Sequence, residues 1–171
     1  MFSFLTVRFR SDGPSDPRGG TVALAALAAP RTVIYCYPRT SESGQPAPTG
    51  WDVIPGARGC TPQACTFRDH HQELAVLGAE VFGLSTQSTA YQVEMAERLH
   101  LPFAVLSDEH FAFTEALGLP TFETDGMRLL KRLTLIVSGN RIDAVFYPVT
   151  ARERSAETVL AWLRAHPLPT P

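Results

Sequence analysis

Runs of apolar residues divide the chain into short strands and helices in regular succession. Thr32–Tyr37 (TVIYCY) is a β-branched and aromatic run stopped by Pro38, the pattern of a strand buried on both faces. Val81–Leu84 and Phe103–Leu106 predict further strands, and Leu133–Val137 with Ile142–Tyr147 predict a hairpin around Ser138–Gly139–Asn140. Phe67, His71 and Leu74 at helical spacing predict one helix over Thr61–Leu77, and shorter helices follow over Ala90–Leu99, His110–Leu117 and Ala156–Ala165. Phe4–Arg10 reads as an opening strand and Ala23–Ala29 as a short helix or turn. Between Arg39 and Gly59 only Trp51, Val53 and Ile54 are large and apolar among Pro, Ser, Thr and Gly, so this segment predicts an unusually long loop. The Pro-rich end, residues 167–171, is expected to fray. Strands alternating with helices and then an antiparallel hairpin imply a mixed central sheet with helices on both faces. A thioredoxin-like α/β fold is the simplest architecture of that kind.

Composition supports one packed domain over residues 1–171, with 44% apolar and 19% charged residues. Fifteen basic residues stand against 17 acidic ones, and no basic run occurs, so neither nucleic acid nor a membrane surface is an expected partner. No apolar stretch approaches the roughly 20 residues that a membrane span needs. Three cysteines in a chain too large to need disulfide staples argue for a reducing compartment and a cytoplasmic location. Val22–Ala29 (VALAALAA) mimics a short signal-peptide core behind Arg8, Arg10 and Arg18. Asp12, Asp16 and the Pro/Gly cluster of residues 13–20 are foreign to a leader, so export is not expected.

The chemistry concentrates in Gly59–Cys60–Thr61–Pro62–Gln63–Ala64–Cys65, where a loop becomes a helix. A thiol in a first helical turn faces unpaired backbone N–H groups and the positive end of the helix dipole; both favour thiolate, the nucleophilic form. Pro62 fits an early helical position, where its missing donor costs nothing. Counting back from Leu74 through His71, Phe67 and Ala64 puts Cys60 on the core-facing stripe, with Cys65 off it. In an ideal helix, residues five apart have Cα atoms roughly 8.6 Å from each other. A disulfide tolerates at most roughly 7 Å, so pairing Cys60 with Cys65 requires the first turn to unwind. From the residues alone, two ordinary helix cysteines remain an open reading, and a metal site from Cys60, Cys65, His70 and His71 has no recognised ligand spacing. Cys36, within TVIYCY, reads as a small buried core residue. His71 lies about three helical turns, or about 16 Å, from Cys60, too far to serve as its base.

GCTPQACTFRD (Gly59–Asp69) closely resembles the active-site segment of the bacterioferritin-comigratory-protein, or Q-type, peroxiredoxins. The resemblance extends to VIYCYP (Val33–Pro38), VFGLSTQS (Val81–Ser88), LPFAVLSD (Leu101–Asp108) and KRLTLIVSGNRI (Lys131–Ile142), covering about Gly20 to Val149. It implies a thioredoxin fold and a peroxidase in which Cys60 is peroxidatic and Cys65 resolving, with Arg132 matching the family's active-site arginine. It also implies a peroxide substrate, thioredoxin or a similar dithiol reductant, no cofactor and a monomer. The sequence departs from the family in one place. A proline seven residues and a Thr or Ser three residues before the cysteine are replaced by Val53 and Ala57, and Pro38 stands 22 positions before Cys60. The missing hydroxyl contact is left to Thr40, to Thr61 or to a backbone N–H between Ala57 and Gly59, with Pro55 and Gly56 making the turn. Trp51 and Ile54 are candidates to cap the pocket or to anchor the loop. A thiol–disulfide oxidoreductase and a non-enzymatic redox switch are the rival readings of the same cysteine pair.

Overall fold

Strand β3 (Arg31–Cys36) is buried along its whole length, as its unbroken apolar run predicts. The computed structural model describes residues 8–11, 20–23, 27, 29–139 and 141–170. In chain order the elements are β1 (Arg8–Ser11), β2 (Gly20–Ala23), β3, α1 (Cys60–Asp69), α2 (His71–Val76), β4 (Ala79–Ser85), α3 (Thr89–Arg98), β5 (Val105–Ser107), α4 (Ala112–Leu117), β6 (Thr121–Thr124), β7 (Met127–Leu130), β8 (Leu133–Ser138), β9 (Arg141–Phe146) and α5 (Ser155–Ala165). Among the described residues they form a seven-stranded sheet in the order β2-β1-β5-β4-β3-β8-β9, with β6 and β7 as a separate hairpin. β3 pairs in parallel with β4 and antiparallel with β8, and β4 in parallel with β5, so the sheet is mixed.

Alternation along β3 splits the core into two layers. Val33 and Tyr35 join Ala64, Phe67, Leu74, Met95, Val159 and Leu163 on the face covered by α1, α2, α3 and α5. Ile34 and Cys36 join Phe82, Leu84, Phe113 and Leu130 on the face covered by α4 and β7. The thioredoxin-like α/β expectation, a mixed sheet with helices on both faces, is met. Tyr35 locks α1 to the sheet: its ring stacks on Phe67 at 4.6 Å and meets Phe103 edge-on at 5.9 Å. A side chain on Gly83 of the neighbouring strand would stand 2.6 Å from the Tyr35 hydroxyl, so only glycine leaves room for this ring.

Four expectations need correction or extension. The single helix over Thr61–Leu77 is two helices, divided at His70 (φ −103°, ψ 11°). The division is inexpensive because hydrogen bonds of helical spacing continue across it, from the His70 N–H to Thr66 O and from the Leu74 N–H to His70 O, both at 3.1 Å. The helix expected from His110 begins at Ala112, because the Asp108 carboxylate accepts from the Phe113 and Thr114 N–H groups and from the Thr114 hydroxyl, capping the first turn. The β6–β7 hairpin was legible only in its Asp125–Gly126 turn, where both residues have positive φ. Finally, the end expected to fray is partly docked: Leu168 is half-buried against Gly78 and Pro30. Phe4–Val7 of the opening strand, most of the Ala23–Ala29 segment and Asn140 of the hairpin turn lie outside the described residues.

Phe67 is fully buried, so its truncation leaves a cavity under α1. Phe67→Ala is expected to cost about 3–5 kcal/mol in urea unfolding. A cost below about 1 kcal/mol would mean that the Tyr35–Phe67 stack does not hold α1 in place.

Candidate active site

Cys60 is the first residue of α1 and is 5% exposed. Gly59 before it adopts a left-handed conformation (φ 94°) and offers no side-chain cap; its carbonyl accepts the first helical bond, from the Gln63 N–H at 3.1 Å. The left-handed φ favours glycine here, and a Cβ would also have to displace the Arg152 side chain, whose Cδ would lie 1.9 Å away. No side chain caps the N–H groups of this first turn.

Arg132, just before β8, reaches the same sulfur. Its Nη2 lies 3.1 Å from Cys60 Sγ and donates also to Arg58 O at 3.1 Å and Ala57 O at 3.4 Å. Nε donates to Gly56 O at 3.3 Å, and Nη1 donates to Gln63 Oε1. The guanidinium is thus held by the loop on one side and by α1 on the other. It is 3% exposed and has no carboxylate partner among the described residues. A buried cation without a carboxylate needs another counter-charge, and the Cys60 sulfur is the acceptor able to carry one.

A cavity of about 170 Å³ opens onto Cys60. Arg39, Thr40 and Ser41 line it from the loop after β3, and Trp51 and Ala57 from the end of that loop. Gly59, Cys60, Thr61 and Pro62 complete it from the start of α1. The structure therefore brings Cys60, Arg132, Gly59, Thr61 and Trp51 together. Pro55 is exposed in the turn beyond and does not line the cavity. Cys60 Sγ hydrogen-bonds to Ala57 O at 3.7 Å, and the Ala57 N–H donates to Ile54 O. Of the two threonine candidates, both of which line the cavity, Thr40 is the more buried, at 5% exposure. Gln87 fixes it at two points, accepting from the Thr40 N–H at 2.8 Å and donating to Thr40 O at 2.8 Å.

Trp51 serves both roles considered for it. It lines the cavity, and it anchors the loop by packing with Ala57 and Leu129, its ring 6.3 Å from Phe122 of the β6–β7 hairpin. Ile54 packs against the same cluster. Cys65 is half-buried and unpaired, five residues along an unbroken helix from Cys60. Cys36 is fully buried, and burial, followed by the Asp108 carboxylate, pushes its thiol well above the ordinary range. It stays protonated and inert. His71 packs on Phe103 at 6.0 Å. Sequence reasoning missed Arg39, Ser41 and Gln63. Gln63 alone had a signal, lying one helical turn after Cys60 and hence on its face.

A buried cysteine sulfur at a helix start on a thioredoxin-like sheet, 3.1 Å from a buried guanidinium, is an arrangement suited to thiol-based redox chemistry. The redoxin family model matches residues 12–160. Peroxiredoxin Q, chloroplastic, of Triticum aestivum is 35% identical over 106 residues, 62% of this chain and 42% of the wheat protein. The chain thus spans less than half the length of that plant relative. Peroxiredoxin Bcp of Bacillus subtilis is 28% identical over 145 residues, covering 82% of this chain and 83% of that one. The crystal structure of peroxidoxin BcpB from Mycobacterium tuberculosis superposes with a TM-score of 0.71 at 26% identity, over 98% of this chain and 99% of the other. The chain belongs to the redoxin family and, within it, to the Q-type (Bcp) peroxiredoxins.

Replacing Arg132 by Met removes the charge that faces the sulfur. Alkylation of Cys60 by iodoacetamide at neutral pH, followed by peptide mass spectrometry, is expected to slow by about 10²-fold. An unchanged rate would show that the 3.1 Å contact does not activate the thiol.

Proposed function

We propose that this chain is a thiol-dependent peroxidase that reduces hydrogen peroxide and alkyl hydroperoxides through Cys60, with Cys65 as resolving thiol and thioredoxin or a similar dithiol as electron donor. The observation that carries this reading is the Arg132 guanidinium 3.1 Å from Cys60 Sγ, beside an open cavity and at the start of a helix. Cys60 thiolate attacks one peroxide oxygen in line; the S–O bond forms, the O–O bond breaks, and water or an alcohol leaves after taking a proton. Arg132 then faces the charge that develops on the oxygens, as a fixed fork that needs no reorganisation. Thr40 and Thr61 line the same cavity and are the side-chain candidates to replace the hydroxyl lost at Ala57.

The Cys65 thiol attacks the sulfenic sulfur, giving a disulfide and water. Both cysteines belong to one continuous α1, so the disulfide forms only when the first turns of that helix unwind. Gly59 and the loop before it supply the freedom for this movement, since Gly56 and Gly59 both adopt positive φ. A donor dithiol then returns two electrons by exchange. The reading is of a single cytoplasmic domain acting as a monomer and needing no cofactor. A thiol–disulfide oxidoreductase is less favoured because two residues, not four, separate the cysteines in that chemistry.

One equivalent of hydrogen peroxide, followed by mass spectrometry, tests the cycle. Wild type is expected to yield a Cys60–Cys65 disulfide, and Cys65→Ser a Cys60 sulfenic acid. Oxidation appearing first on Cys65 or Cys36 would overturn the assignment.

A further inference from the structure

Arg132 and Arg39 both stand beside the Cys60 cavity, and they differ in how their donors are used. Arg132 spends its donors on carbonyls, on Gln63 and on the Cys60 sulfur. Arg39 lines the cavity itself, yet its Nε is buried without a hydrogen-bond partner. Among the described residues its side chain makes one hydrogen bond, from Nη1 to the Met127 sulfur at 3.4 Å, a weak acceptor. No carboxylate pairs with it among the described residues, and no acidic side chain lines the cavity. Two acids adjoin the lining in sequence: Asp52 is paired with Arg58 at 3.1 Å, and Glu42 is exposed and pairs with no cation among the described residues. A half-buried guanidinium without an anion is costly to keep unless a ligand completes it.

Its position is also fixed in advance. The next residue, Thr40, is clamped at N–H and carbonyl by Gln87, and the Ser41 carbonyl accepts from Arg98 at 3.5 Å. The backbone that carries Arg39 is thus pinned from both sides of the loop, so little order is lost when a ligand binds. The remaining lining includes Ser41 and Thr61, whose hydroxyls are able to donate to anionic oxygens, and Thr40, whose hydroxyl donates to Gln87 Oε1 at 3.5 Å.

We infer that Arg39 is a specificity-determining residue, which binds the carboxylate of an anionic organic hydroperoxide while its peroxide end meets Cys60. The inference rests on the peroxidase reading and names its substrate class. The Cys60 sulfur bonds to the terminal peroxide oxygen and is oxidised by two electrons. The O–O bond breaks and the peroxide is reduced to a hydroxy acid, its carboxylate unchanged on Arg39. The donor dithiol of the proposed cycle returns the two electrons.

The test compares a short-chain hydroperoxy acid with its neutral methyl ester as substrates of wild type, Arg39→Met and Arg39→Lys. The acid-over-ester ratio of kcat/KM is expected to fall about tenfold in Arg39→Met, the size of one partly exposed charge-assisted contact, and to persist largely in Arg39→Lys. A second arm needs no peroxide: in the Cys65→Ser background, the ratio of Cys60 alkylation rates by iodoacetate and iodoacetamide should fall in parallel. A purely packing role against Met127 would move neither ratio. Equal ratios in wild type and Arg39→Met, or an equal fall in Arg39→Lys, overturn the inference. Turnover of hydrogen peroxide with no acid preference removes this inference and leaves the peroxidase reading intact; failure of every peroxide to oxidise Cys60 removes both.

Discussion

The Arg132 guanidinium sits between the carbonyls of Gly56, Ala57 and Arg58, the Gln63 side chain and the Cys60 sulfur. A cation removed from water at this depth costs several kcal/mol unless its donors are met. Here the acceptors come from the long loop and from α1, so the same charge holds the end of the loop against the start of the helix. The contact does structural and chemical work together: it closes the loop, and it sets a counter-charge beside the nucleophile.

Its geometry is inherited from the sheet. Leu133 of β8 pairs with Cys36 of β3, so Arg132 emerges at the sheet end where the chain leaves β3 for the loop. The Tyr35–Phe67 stack lays α1 across the same face, and a tyrosine there is possible because Gly83 leaves the space. Residues 72 apart in sequence thus meet at the sulfur. The long loop returns to the site by its own anchor, Trp51 packed into the cluster with Ala57, Leu129 and Phe122.

Periodicity made the central strands legible, because β3 and β8 are buried on both faces and carry continuous apolar runs. Cys60 was legible as well, since a helix start and a core-facing stripe can both be counted along the chain. The division of the first helix at His70 left no mark, because Leu74 keeps its place in the core on either side of the break. The β6–β7 hairpin was hidden because its strands are only partly buried and do not alternate cleanly. Arg39 was beyond reach for another reason. A charged residue after a strand reads as solvated, and only the fold shows that its Nε is buried and that no carboxylate pairs with it among the described residues.

Cys36 gives an internal comparison for Cys60. Both are buried thiols on the same chain, but Cys36 has no cation beside it and is pushed toward the inert protonated form, whereas Cys60 has Arg132 and a helix start. The two buried thiols therefore differ in the charge beside them, and a cation beside a thiol favours its thiolate form. Stopped-flow measurement of Cys60 oxidation by hydrogen peroxide tests this most directly. A rate constant orders of magnitude above that of free cysteine is predicted, and oxidation at the pace of free cysteine would contradict it.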